Sequence, residues 1–186
     1  GNVSLDFEEY LFDECHTILG NVPVFIDGFM GLRDDSLDLR ARCRVDSCNM
    51  SDLLNVIPGD LVPLKTELVA DMPPTLDIVL DGAYYYGQGN IPAFSAALAA
   101  GSGTLTYLPE EDLSFRGFNA DMSISYDPRI NNYGFIAIRD LFVDSPAVTA
   151  RIKGTVVSLF EDPVFDLSVA GLVVLDHLPL KATGDL

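Results

Sequence analysis

One phrase is written three times in this chain: an alternating apolar strand reaches a glycine, a turn follows, and a second alternating strand begins. The copies run from Val24-Phe25-Ile26-Asp27-Gly28 to Leu37-Asp38-Leu39-Arg40-Ala41, from Asp77-Ile78-Val79-Leu80-Asp81-Gly82 to Pro92-Ala93-Phe94-Ser95-Ala96, and from Ala150-Arg151-Ile152-Lys153-Gly154 to Pro163-Val164-Phe165-Asp166-Leu167. A strand that returns beside itself after a short turn pairs antiparallel, and apolar residues at every second position give it one dry face. The repetition dictates a β surface and places the three glycines at strand ends. It also argues against an enzyme, because a catalytic site is a one-off constellation.

The same alternation continues outside the phrase. Leu37, Leu39, Ala41, Cys43 and Val45 oppose Asp38, Arg40, Arg42, Arg44 and Asp46, and Phe118, Ala120, Met122, Ile124 and Tyr126 oppose Asn119, Asp121, Ser123 and Ser125. Turn residues punctuate these runs at 33–36, 87–90, 109–112, 127–132 and 161–163. The expected fold is mainly β, an antiparallel, curved or folded-over sheet with one or two short helices. Phe7, Leu11, Cys15 and Ile18 lie near helical spacing, which predicts a helix over Glu8 to Leu19 with Asp6 as its cap. Ser51 is placed as the cap of a shorter helix over Asp52 to Val56, closed by Pro58. Phe94 to Ala100 is alanine-rich, but its place in the repeat makes it a strand. A strand end followed by a helix-like segment recurs at 5–11, 49–54 and 173–179. The chain thus reads as one β-repeat segment, 1–186, of a longer array, with units near 22–58, 75–100 and 147–180.

Composition excludes several classes of function. With 28 acidic residues against 11 basic ones and a net charge of −17, the surface repels phosphate, which disfavours nucleic acid and electrostatic docking on anionic lipid. No run of apolar residues reaches the length of a membrane-spanning helix. Cys15, Cys43 and Cys48 show no zinc spacing and read as buried or partly buried thiols, with a Cys15–Cys48 bridge the alternative in an oxidising compartment.

The remaining motifs favour architecture over chemistry. Gly87-Gln88-Gly89 and Gly101-Ser102-Gly103 complete neither a dinucleotide fingerprint nor a phosphate loop, and read as hairpin or bulge glycines. His16 and His177 belong to no metal-ligating or catalytic motif. The carboxylates at 34–38 and 110–112 miss the EF-hand spacing and read as solvated turns. Tyr84-Tyr85-Tyr86 is either cross-strand packing or an aromatic wall for an apolar ligand. No cofactor is expected.

The stretch from Gly154 to Gly171, followed by Leu175-Asp176-His177-Leu178-Pro179, resembles the AsmA family, whose strands end in glycine before a proline-bearing turn, an apolar-Asp-Leu strand and a short L-x-x-L-P segment. Gly103 to Leu108 with Leu113-Ser114-Phe115 is similar to a second phrase of that family. The resemblance implies a periplasmic, inner-membrane-anchored protein of Gram-negative bacteria, related to TamB. Its long sheets would curl into an apolar groove serving outer-membrane biogenesis and phospholipid transport. The implied partners are phospholipid acyl chains and neighbouring repeats of the same protein. The candidate groove-lining residues are Ile26, Leu37, Leu39, Leu80, Tyr84, Tyr86, Phe118, Met122, Ile124, Ile152, Phe165 and Leu167. The alternative expectation is a β-sandwich interaction module whose apolar faces meet in a sealed core.

Overall fold

The computed structural model describes residues 1–6, 8–57, 65–87, 90, 92–108, 114–130 and 132–175. Its strands are β1 (Asn2–Asp6), β2 (Glu9–Leu19), β3 (Val22–Leu32), β4 (Ser36–Val45), β5 (Leu68–Asp71), β6 (Pro74–Tyr85), β7 (Ala93–Tyr107), β8 (Ser114–Asp127), β9 (Asn132–Asp144), β10 (Val148–Val157) and β11 (Val164–Val173). A single α-helix, α1 (Met50–Val56), and short 3-10 turns at Lys65–Glu67 and Pro128–Ile130 complete the described elements. All eleven strands belong to one antiparallel sheet that does not close, in the order β1-β2-β3-β4-β6-β7-β8-β9-β10-β11. The mainly β, antiparallel fold with a short helix is therefore as expected, whereas the sandwich alternative lacks a second sheet among the described residues.

β5 lies off that order and pairs with the second half of β7, while β6 pairs with the first half. Leu68 stands opposite Tyr107 and Pro74 opposite Ala100, so β5 and β6 form one line interrupted at Met72-Pro73. β4 reaches only as far as Leu76 on this line. The chain then leaves the sheet, and α1 packs beside β5 where β4 would have continued. The core forms there: Val22, Val45, Met50, Leu53, Ala70, Met72, Ala100 and Ala120 are buried together.

Three expectations are corrected. First, Glu9 to Leu19 is strand β2 and not a helix. Phe12 pairs with Gly28 and Cys15 with Ile26, so a bulge at Asp13-Glu14 shifts the alternation by one residue; Glu14 takes a positive φ of 46° there. Leu11 and Ile18 lie exposed on one face of the strand and Cys15 is buried on the other, so their near-helical spacing marks no shared face. Second, Gly28, Gly82 and Gly154 lie within β3, β6 and β10 and do not end them. Their φ values of 141°, 147° and 144° belong to a region that side chains avoid. Third, the cap of α1 is Asn49, whose side chain accepts from the Ser51 N–H at 3.0 Å. Ser51 turns to β5 instead.

Other expectations fit. Phe94 to Ala100 is strand. Gly101-Ser102-Gly103 spans a bulge, since Ala100 pairs with Ala120 and Gly103 with Phe118. Gly87, at φ 78°, sits in the β6–β7 turn. Of the strand-then-helix segments, only 49–54 is helical; 5–11 is the β1–β2 hairpin, and 176–179 lies outside the described residues. The turn at 109–112 also lies outside them, as do Pro58 and His177.

Candidate functional site

Opposed residues in an antiparallel ladder point to the same side, so the pairings trace each face of the sheet row by row. One row runs Cys15–Ile26–Cys43–Ile78–Ala96–Ile124–Ile136–Val156–Phe165, crossing nine strands without a polar residue. Eight steps of about 4.8 Å make it about 38 Å long. The next row is Val45–Leu76–Leu98–Met122–Ile138–Gly154–Leu167, and beyond it lies Pro74–Ala100–Ala120–Leu141–Ile152–Val169. On the other side of the long row are Gly28–Ala41–Leu80–Phe94–Tyr126.

The apolar face survives across β9 only because of a bulge. Ile138 pairs with Met122 and Leu141 with Ala120, so Arg139-Asp140 contributes one residue more than its neighbours. Ile136, Ile138, Leu141 and Val143 thereby stay on one side. Both bulge residues carry charge to the opposite face, where Arg139 donates to Asp121 at 2.8 Å and Arg151 reaches Asp140 at 3.1 Å.

That opposite face is ionic. Arg42 is paired with Asp77, Arg44 with Asp27, and Arg40 and Arg129 with Asp81; Arg33 at the rim meets Glu8, Glu9 and Asp38. Hydrogen bonds from Arg42, Arg139 and Arg129 hold the carboxyls of Asp77, Asp121 and Asp127 below the usual carboxylate range. Exposed pairs of this kind stabilise little individually, but together they keep the face wet. His16 is part of this face and stacks on Phe25 at 4.6 Å, nearly parallel. The described residues include no group of His, Cys, Asp or Glu suited to a metal ion.

Two elements frame the apolar face. At one end α1 covers Val22, Val45, Ala100 and Ala120. At the other, the β10–β11 turn folds back on the start of β9 through Leu159 and Phe160, whose N–H groups donate to Gly134 and Tyr133. Phe160 meets Tyr126 edge-on at 5.3 Å, and Tyr126 meets Phe94 at 5.9 Å. Between these ends the long row is half-buried by its neighbours, and every other sizeable contact among the described elements is between adjacent strands or with a short 3-10 turn. Two depressions, of about 580 and 640 Å³, lie by the ionic face, and neither is lined by a residue of the long row. Among the described residues, no second sheet lies over the apolar band.

Of the candidate groove residues, Ile26, Leu37, Leu39, Leu80, Tyr84, Phe118, Met122, Ile124, Ile152, Phe165 and Leu167 share the apolar face. Only Leu37 and Tyr84 stand directly opposite one another. Tyr86 lies in the turn after β6 and packs edge-on against Tyr84 at 6.1 Å. Cys43, Ile78, Ala96, Ile136 and Val156 form the middle of the long row and were not among the candidates. The alternating runs read from sequence contain Cys43, Ile78 and Ala96 but not Ile136 or Val156, and only the register aligns all five. Cys43 and Cys48 are free thiols, and burial raises the pKa of both. Cys15 is buried at the head of the row.

Among the described residues, no helix is long and apolar enough to cross a membrane. In comparisons with known proteins, the chain matches no family model, no curated protein and no solved structure.

Proposed function

We propose that this chain is a non-enzymatic, periplasmic segment of an AsmA-like protein, anchored elsewhere in the inner membrane, whose apolar band carries phospholipid acyl chains during outer-membrane biogenesis. The observation that supports this reading is the unbroken apolar row across nine strands, which no second sheet among the described residues covers between α1 and the Phe94–Tyr126–Phe160 cluster. An acyl chain laid on such a band gains about 0.8 kcal/mol for each methylene it hides from water. The ionic face, rich in carboxylates, suits the water-facing side of such a carrier. Native mass spectrometry after gentle purification tests the reading: phospholipid adducts are the expected result, and a lipid-free spectrum from a membrane-containing lysate would sink it.

A further inference from the structure

The two edges of the sheet are unlike. β1 has five residues, and beyond it β2 is broken by the Asp13-Glu14 bulge and carries Glu9, Asp13 and Glu14. Short strands, bulges and charges are the devices by which sheets protect their edges. β11 is neither short nor bulged. It pairs with β10 over ten consecutive positions, from Val164 opposite Val157 to Val173 opposite Val148, with no shift in register. It contains no proline and no lysine, and Asp166 is its one charged residue. All ten of its residues are exposed, with Phe165, Val169 and Leu172 each more than 60% open to solvent. Among the described residues, nothing pairs with its outer side.

We propose that β11 is a self-association edge, which pairs antiparallel with β11 of a second copy about a two-fold axis normal to the sheet. The outer row of backbone N–H and C=O groups requires an extended partner, and a ten-residue edge matches another of equal length, which five-residue β1 does not. Charge supports the same occupant. With the axis at Leu167, Ser168 or Val169, Asp166 faces Ser168, Ala170 or Leu172 of the partner and never its own copy. With the axis at Ser168, Asp162 and Glu161 at the head of one strand fall beside apolar Val174 and Leu175 at the tail of the other. The acidic ends of two net-negative chains are thus kept apart. An axis normal to the sheet keeps both apolar faces on one side, so the band with Phe165, Leu167 and Val169 at its end would continue from one copy into the next.

Sedimentation equilibrium of the chain, with Ser168→Lys and Ser168→Ala beside it, tests the proposal. Ser168 is exposed and makes no core contact, so Lys is tolerated in the monomer, and unchanged circular dichroism verifies that. The expected result is a dimer for the unaltered chain and for Ser168→Ala, with association weakened by roughly ten-fold or more in Ser168→Lys by like-charge repulsion. Hydrogen exchange supplies the second readout: every other β11 amide, those facing outward, should be protected in the dimer and exchange rapidly on dilution. A monomer at all concentrations, a dimer indifferent to Ser168→Lys, open-ended polymers, or protection that maps to the apolar band instead of β11 would each overturn it. The outcome does not depend on whether lipid binds, which the mass spectrum reads separately.

Discussion

The Ser51 hydroxyl takes over both backbone groups of Ala70. It donates to the Ala70 carbonyl at 2.7 Å and accepts from the Ala70 N–H at 3.0 Å. A neighbouring strand would normally make those two bonds, and β4 has already left the sheet at this point. The Met50 N–H, donating to the Met72 carbonyl at 2.9 Å, and the Asn49 side-chain amide, donating to the Asp71 carboxylate at 2.7 Å, extend the contact past Ala70 toward the start of β6. The start of α1 therefore serves as the edge partner of β5, and a seven-residue helix that is too short to be stable alone is held by backbone it completes.

Ser51→Ala should accordingly cost more than an ordinary helix substitution. Ala70 is 1% exposed, so its N–H and C=O would lose their partner where water hardly reaches, a penalty of about 1–3 kcal/mol. The urea midpoint reads this directly, with an unchanged m-value. Ser51→Thr, which keeps the hydroxyl, should recover most of the loss.

The three repeated glycines should differ in tolerance. An added Cβ would lie 2.1 Å from the Arg40 carbonyl oxygen at Gly28 and 2.1 Å from that of Asp166 at Gly154, but 3.4 Å from its nearest neighbour at Gly82. All three share a φ unfavourable to side chains. Gly82→Ala should thus cost backbone strain alone, of order 1–3 kcal/mol, while Gly28→Ala and Gly154→Ala add a clash with backbone. Thermal midpoints of the three variants should rank Gly82→Ala highest.

Acid should act through the ionic face. The Arg42 hydrogen bond lowers the folded-state pKa of Asp77 below its unfolded value. The pair's contribution is therefore complete above the unfolded pKa of about 3.9 and is lost as pH falls through the folded value. The stability difference between the unaltered chain and Asp77→Asn should be largest near neutrality and shrink below about pH 4. Asp121→Asn and Asp127→Asn should follow the same sign, because Arg139 and Arg129 depress those carboxyls likewise. A difference that grew on acidification would contradict the assignment.

On the proposed lipid role, Ala96→Asp places a charge at the middle of the long row, between Ile78 and Ile124. Lipid adducts should fall several-fold relative to Ser95→Asp, whose side chain emerges on the ionic face one residue away. Equal loss in both variants would point to general destabilisation and equal retention to binding elsewhere.

Strand positions and faces were largely legible from period-two alternation, because side-chain direction in a strand follows residue parity. Helix α1 was visible from a cap-forming serine before Asp52 and a proline after Val56, although Asn49 and not Ser51 proved to be the cap. What sequence concealed were the places where parity changes, at Asp13-Glu14 in β2 and at Arg139-Asp140 in β9, where two charges in succession separate Ile138 from Leu141. Each bulge is defined by its pairing with the neighbouring strand, so the residues of one strand alone do not reveal it. The glycines misled for a related reason. Gly28 and Gly154 are required by the close approach of Arg40 and Asp166 backbone on neighbouring strands, and not by a turn in their own segment. The long row is likewise a property of eight registers, none of which is written in one strand.

The bulge in β9 behaves like a frameshift in the apolar pattern. Residues before Arg139 are read in one frame and residues after Asp140 in the other, and both frames deliver aliphatic side chains to the same face. Deleting Arg139 would remove the frame change and yield a strand with perfect alternation, in which Ile136, Ile138, Leu141 and Val143 still share one face. In this sheet the damage done by a one-residue deletion is therefore set by its position relative to the bulge: within the bulge it preserves the apolar face, and elsewhere in β9 it sends aliphatic side chains to the ionic one.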